Sequence, residues 1–269
     1  MKTIITTICW NALPYTIWML DSLYKNTDYN FEIIIVNNGS TDGTEQYLNW
    51  FVNNFPRATV IHLPRNVGFS SGHNEAFKYI KEHNIKYDYI CILNNDTLVG
   101  QGWLDSMIKC SLKDERIGIV GPVSNCAGGE QGYRIGIPFM ELQEFNKFSD
   151  EWRRKMVGSM TREGVLVGLC MLFKKQCFEE CLPFPDGFTM YEDNIVCLKA
   201  LYKGWKMVVD RSTFIWHYGQ KTFQSNQVDL GKKYQEMAEK FRKWWKEYEQ
   251  KECFCNKEDW VKEYPKGNT

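Results

Sequence analysis

Between residues 3 and 120, short runs of apolar and β-branched residues alternate with longer amphipathic stretches. No other feature constrains the fold as strongly. Thr3–Cys9, Phe31–Val36, Ala58–Leu63, Tyr87–Leu93 and Ile117–Val120 read as strands, and the β-branched run in Phe31–Val36 marks a strand buried on both faces. Between them, helices are predicted from Pro14 to about Lys25, from the capping segment Thr41-Asp42-Gly43-Thr44-Glu45 to about Phe51, over Ser70–Glu82 and over Gly102–Leu112. Strand–helix alternation at this spacing builds βαβ units and hence a parallel sheet in an α/β fold. Such sheets bind ligands beyond the carboxyl ends of their strands. The loops after Cys9, Val36, Leu63 and Leu93, all rich in Asn, Asp, Gly or Pro, are therefore where function is expected.

The second half is less regular. Asn125–Gly136 is glycine-rich and reads as a mobile loop, and Phe139–Val157 as a charged helical excursion. Val165–Phe173 reads as a strand, Glu192–Tyr202 as a helix ended by Gly204, and Lys206–Val209 and Thr213–His217 as two short strands. A long charged helix carrying Trp244 and Trp245 is predicted from about Val228 to Lys251; packing is its first reading, contact with a membrane or a second subunit its second. The 269 residues suit one large domain over 1–220 with a helical extension over 221–269.

Thirty-three basic residues balance 33 acidic ones, so no global field draws the chain to nucleic acid, and an anionic ligand must be held locally. The ten cysteines are scattered without a Cys-x-x-Cys pair, and Thr3–Cys9 is too short and polar for a secretory segment. Reduced thiols buried as small hydrophobes in a cytoplasmic protein are expected, with a zinc site at Cys253 and Cys255 as a minor reading. No run reaches the length of a bilayer-spanning helix, which leaves peripheral membrane contact open.

Three segments carry candidate chemistry. Asp96, in Leu93-Asn94-Asn95-Asp96-Thr97, follows an apolar strand; a carboxylate there can hold a hard divalent cation against a diphosphate, although an ordinary Asx turn has the same composition. Tyr191-Glu192-Asp193 offers a second acidic site able to take a proton from a hydroxyl, although acids also simply favour a helix N-terminus. His217 closes an apolar strand and is either a metal ligand or a structural histidine.

The order of these segments resembles glycosyltransferase family 2. Val36-Asn37-Asn38-Gly39-Ser40-Thr41-Asp42-Gly43-Thr44 resembles the family's first nucleotide-binding loop, with Asn37 and Asn38 where one or two Asp are usual. Arg65-Asn66-Val67-Gly68-Phe69-Ser70-Ser71-Gly72-His73-Asn74 is similar to the Asn-x-Gly-Phe segment of the rhamnosyltransferase-like branch. Leu93-Asn94-Asn95-Asp96-Thr97 sits where that branch carries its variant of Asp-x-Asp, with Asn94 in place of the first Asp. Gly164–Phe173 with Phe184–Phe188 resembles the acceptor-side strand and loop, Tyr191-Glu192-Asp193 the Glu-Asp helix, and Trp216-His217 the terminal metal-binding His. The match covers about residues 3–220.

The resemblance implies a GT-A fold and an inverting transfer from a UDP-, dTDP- or GDP-linked sugar to a glycan or lipid-linked acceptor. It implies Asp193 as base, Glu192 as an acceptor or structural partner, and Mn2+ or Mg2+ at Asp96 and His217. Asn37, Asn38, Gly39, Asp42, Asn66, Gly68, Asn74, Asn94 and Asn95 are implied to line the nucleotide-sugar site. Two other readings stand beside it. A sugar nucleotidyltransferase is disfavoured because no glycine- and arginine-rich phosphate loop follows the first strand. A non-catalytic nucleotide-sugar-binding protein is disfavoured by the presence of both Asp96 and Asp193.

Overall fold

The computed structural model describes residues 1–135, 141–219, 221–226 and 228–251. In chain order the elements are β1 (Thr3–Cys9), α1 (Leu13–Asn26), β2 (Phe31–Asn38), α2 (Thr44–Asn54), β3 (Ala58–Leu63), α3 (Phe69–Glu82), β4 (Tyr89–Leu93) and β5 (Thr97–Val99). They continue with α4 (Trp103–Ser111), β6 (Ile117–Ser124), α5 (Leu142–Met156), β7 (Met160–Glu163), β8 (Cys170–Lys174), α6 (Lys175–Cys181), α7 (Glu192–Tyr202), β9 (Lys206–His217), α8 (Lys221–Ser225) and α9 (Leu230–Lys251).

The strands form one sheet in the order β3-β2-β1-β4-β8-β6-β9-β5, with β7 paired to β9. The stretch β3-β2-β1-β4 is parallel, as strand–helix alternation requires. Beyond β4 the sheet is mixed: β8 runs antiparallel to both β4 and β6, while β6 and β9 are parallel. Along β2, Ile33 and Ile35 enter one apolar layer and Ile34 and Val36 the other. This period-2 division explains a strand apolar on both faces, each buried Ile contributing about 1.5–3 kcal/mol. One layer is closed by α1, α2 and α4 through Leu20, Phe51 and Met107, the other by α3, α6 and α7 through Ile80, Phe178 and Val196.

Two expected strands take a different form. Val165–Phe173 is strand only from Cys170, because Gly168 and Leu169 turn before the chain enters the sheet. Lys206–Val209 and Thr213–His217 are one strand, β9, continuous through a register shift against β6. There Asp210 is buried yet accepts hydrogen bonds from Ser106, Ser212 and Thr213, so a polar break in the sequence is a satisfied irregularity in the sheet. The charged excursion is helical as α5; its expected beginning at Phe139 lies outside the described residues.

The chain divides into two compact units, Met1–Gln227 and Val228–Thr269. In the second, α9 places Trp244 against Tyr248 with ring centroids 4.9 Å apart. Among the described residues no helix is long and apolar enough to cross a membrane. The eight cysteines there are free, and all but Cys126 are buried; Cys253 and Cys255 lie outside the described residues.

Candidate active site

Strand β1 lies between β2 and β4, so the chain reverses its direction of travel across the sheet there, and the loops after these strands part to leave a crevice. On one side stand the loops after β2 and β3. Asn38 is buried and fully engaged: its Nδ2 donates to Asn66 Oδ1 (2.9 Å) and Gly68 O (3.2 Å), and its Oδ1 accepts the Val67 N–H (2.9 Å). Asn37 accepts the Ser40 N–H at 3.1 Å and lies 3.0 Å from His62 Nδ1. Gly39 has φ +71°, and a Cβ there would fall 2.6 Å from the Arg65 backbone, so glycine lets the two loops touch. Asp42 accepts the Leu13 and Thr44 N–H groups, holding the starts of both α1 and α2. Asn74 binds both polar groups of the Phe184 backbone. The amides implied to face a nucleotide thus also hold the loops in place.

Across the crevice, Asp96 and His217 meet although they are far apart in sequence. The cause is β5, which starts immediately after Asp96 and pairs antiparallel with the end of β9, Thr97 opposite His217. His217 Nε2 lies 3.1 Å from Asp96 Oδ1, and the Tyr218 and Lys221 N–H groups donate to Asp96 O and Oδ2. Burial opposes a charged imidazole, but the Asp96 carboxylate and its hydrogen bond outweigh burial, and the His217 pKa rises to about 10. Burial likewise pushes Asp96 up, His217 pulls it further down, and its carboxyl ends below the ordinary range. Neighbouring Asn94 keeps a solvent-sealed Oδ1 without a hydrogen-bond partner, whereas Asn95 is buried with its Nδ2 on Thr16.

Asp193 lies at the start of α7. Its Oδ2 accepts the Gly168 N–H at 3.0 Å and its Oδ1 the Asn194 N–H at 2.8 Å. The residue after Gly168, Leu169, accepts the Asn94 N–H at 2.9 Å. One two-residue step of backbone therefore links Asp193 to the Asp96 loop. Burial raises the Asp193 pKa against the pull of these N–H groups, and burial followed by the Asp193 charge pushes Glu192 up to about 8. Glu192 Oε2 is sealed from solvent without a hydrogen-bond partner. Before them Tyr191 holds φ +69°, an uncommon conformation for a bulky residue and one that recurs near functional sites.

The sequence profile of Glycosyl transferase family 2 matches residues 4–182. The chain belongs to that family. An N-acetylglucosaminyl-diphospho-decaprenol L-rhamnosyltransferase of Mycobacterium tuberculosis is 22% identical over 236 residues, 80% of this chain and 75% of the relative. Among solved structures, the mannosyltransferase PcManGT of Pyrobaculum calidifontis, in complex with GDP-Man and Mn2+, superposes with a TM-score of 0.60 at 18% identity, covering 81% of this chain and 57% of that one. TarS 1-349 of S. aureus with UDP-GlcNAc does so with a TM-score of 0.58 at 17% identity, covering 84% and 61%. The fold is GT-A, and the chain is a rhamnosyltransferase-like member of the family.

Four residues of this glycosyltransferase's crevice were not singled out individually in sequence: Lys221, Asn226, Asn11 within the loop after Cys9, and Gly168 within the segment Gly164–Phe173. Gly168 acts through the turn before β8, Lys221 through the chain that leaves β9 beside β5, and Asn11 and Asn226 through a contact between loops distant in sequence.

Proposed function

We propose that this glycosyltransferase transfers a sugar from a nucleotide diphosphate with inversion, using Asp193 as base and a divalent cation at Asp96 and His217. The observation that carries the reading is the link from Asp193 through Gly168 and Leu169 to the Asp96 loop. It sets a proton acceptor and a buried carboxylate–imidazole pair on one stretch of crevice.

A cation fits these residues. Asp96 supplies a carboxylate oxygen and His217, 3.1 Å away, a ring nitrogen that would bind a divalent ion once the ion displaced the imidazole proton. Among the described residues no cluster of three or more His, Cys, Asp or Glu side chains gathers to hold a metal. Two protein donors leave the remaining positions to phosphate oxygens and water, the usual habit of Mg2+ and Mn2+. When bound, the ion would stabilise negative charge on the leaving diphosphate.

The remaining work falls to side chains. Asp193 takes the proton of the acceptor hydroxyl as the oxygen bonds to the anomeric carbon, while the bond from that carbon to the diphosphate breaks on the opposite face. Burial makes Asp193 a stronger base than a surface carboxylate, and the two N–H groups hold it in place. Glu192, its pKa near 8, keeps a proton at neutral pH and leaves the pair with a single charge.

The donor class is a UDP-, dTDP- or GDP-linked sugar, supported by the GDP-Man and UDP-GlcNAc in the related structures. The acceptor is a glycan or a lipid-linked saccharide, the latter supported by the diphospho-decaprenol in the mycobacterial relative's name. Incubation with a panel of nucleotide sugars and Mn2+ or Mg2+, followed by nucleoside diphosphate release and by NMR of the anomeric proton in the product, tests the reading. Metal-dependent release from one donor with inverted configuration is expected. Retention of configuration, or no release from any donor, contradicts it.

A further inference from the structure

Asn11 follows β1 and has no part in the chemistry above, yet it joins three separate segments. Its N–H donates to Ser40 Oγ at 2.9 Å, its Oδ1 accepts the Thr41 N–H at 2.7 Å, and its Nδ2 donates to Asn226 Oδ1 at 2.5 Å. Asn226 returns a bond from its Nδ2 to the Trp10 carbonyl at 3.1 Å. The first two contacts fix the loop after β2. The others tie down the stretch that follows His217.

That stretch has a second set of anchors. Tyr218 donates its N–H to Asp96 O at 2.9 Å, and its ring lies 5.0 Å from Tyr15 and 5.5 Å from Trp18, both on α1. Lys221 points its N–H at Asp96 Oδ2, 3.4 Å away. Residues 221–226 therefore run from Asp96, beyond β4, to Trp10 and Asn11, beyond β1, and bridge the crevice at the switch point. Asn11 and Ala12 hold φ of +57° and +60°, two successive non-glycine residues in the left-handed region. Asn tolerates that region better than most residues and Ala does not, so the surrounding bonds must hold the loop there.

We infer that Asn11 is a positioning residue: paired with Asn226, it clasps residues 221–226 across the crevice and sets the Asp96 end of the site in register with the loop after β2. The inference rests on the glycosyltransferase reading for its consequence, since a nucleotide diphosphate has to meet both ends at once. The clasp itself rests on the contacts alone. A site that assembles only when clasped binds its ligand more weakly in proportion to the time it is open.

The test uses the full chain with Asn226→Ala, which leaves every Asn11 contact to Ser40 and Thr41 in place, and Asn11→Ala as the second variant. Residue-resolved hydrogen exchange at the Tyr218 and Lys221 amides should accelerate by about ten- to a hundredfold in Asn226→Ala, the worth of the two side-chain hydrogen bonds it removes, with β1 and β4 amides unchanged. Calorimetry with UDP, GDP and dTDP in Mn2+ should show Kd weakened by about the same factor for the nucleotide that binds. The donor KM should rise alongside while kcat stays near wild type, a split that general loosening of the fold would not produce. Unchanged exchange at both amides overturns the clasp. Faster exchange with an unchanged Kd overturns its role in positioning. If the wild type binds none of the three nucleotides, the glycosyltransferase reading falls and takes the positioning role with it, while the exchange result still decides the clasp.

Discussion

The two walls of the crevice use polar side chains in opposite ways. On the wall after β2 and β3, Asn37, Asn38, Asp42 and Asn66 are tied to neighbouring loops, several through both ends of the side chain. On the other wall, Asp96 and His217 are a buried charge pair, Glu192 Oε2 and Asn94 Oδ1 are sealed without partners, and Asp193 is a carboxylate with a raised pKa. The loop residues of the first wall form a scaffold that presents shape, with unmet bonding capacity behind them on α3, at Ser70 Oγ and His73 Nε2. The second retains unmet bonding capacity and displaced pKa values, which a folded chain keeps where a ligand or a reaction supplies the missing partner. Substitutions on the two walls should therefore fail differently: stability first on one, turnover first on the other.

The largest expected effect is on turnover. Asp193→Asn should lower kcat by about 10² to 10⁴ while donor affinity is kept, the range for loss of a general base. In the wild type, kcat should climb with pH through the raised pKa of Asp193, because only the ionised carboxylate accepts a proton. A flat pH profile together with a fully active Asn variant would erase the difference between the walls from the catalytic side.

Asn38→Ala sharpens it from the other side. The substitution strands the Val67 N–H and empties the Asn66 and Gly68 contacts, at a cost of about 1–3 kcal/mol for a buried group left unpaired. Thermal unfolding should shift down while kcat in the surviving folded protein changes little. Loss of kcat without loss of Tm would mean that Asn38 takes part in the chemistry.

A further effect, dependent on pH, is expected at Glu192. Its folded pKa of about 8 lies above the ordinary glutamate value of 4.5, so the folded state binds the proton more tightly than the unfolded one. The stability this provides is complete below the unfolded value and declines as pH rises to about 8. Glu192→Gln, which cannot ionise, should therefore show a Tm advantage over wild type at pH 8 that shrinks towards pH 5. An advantage independent of pH would remove the buried carboxyl from the account.

How legible these walls were follows from the kind of contact that builds them. Thr3–Cys9 and Ala58–Leu63 emerged with the expected limits because each is a short β-branched run bounded by polar or turn-forming residues, even though β3 is a half-exposed edge strand. The acidic residues of the second wall were visible as types, since carboxylates at the end of a strand or the start of a helix stand out from an apolar background. Their convergence was not visible. It depends on β5, whose three residues are too short for any periodicity, and on the turn at Gly168, which lies inside a run that reads as continuous strand. Asp210 misled in the opposite direction, since its satisfied burial within β9 resembles a loop in sequence. Asn11 gives no local sign of its reach to Asn226.

The central claim is that the second wall holds a metal-assisted leaving-group site and a separate base. It is tested most directly by titrating Asp96→Ala and Asp193→Asn with the preferred nucleoside diphosphate, with Mn2+ and then with chelator, alongside turnover of the matching nucleotide sugar. The account predicts that Asp193→Asn binds the nucleotide like wild type and in a metal-dependent way yet does not turn over, whereas Asp96→Ala loses the metal dependence of binding itself. Wild-type turnover by Asp193→Asn, or binding by Asp96→Ala that still responds to Mn2+ as wild type does, would contradict it.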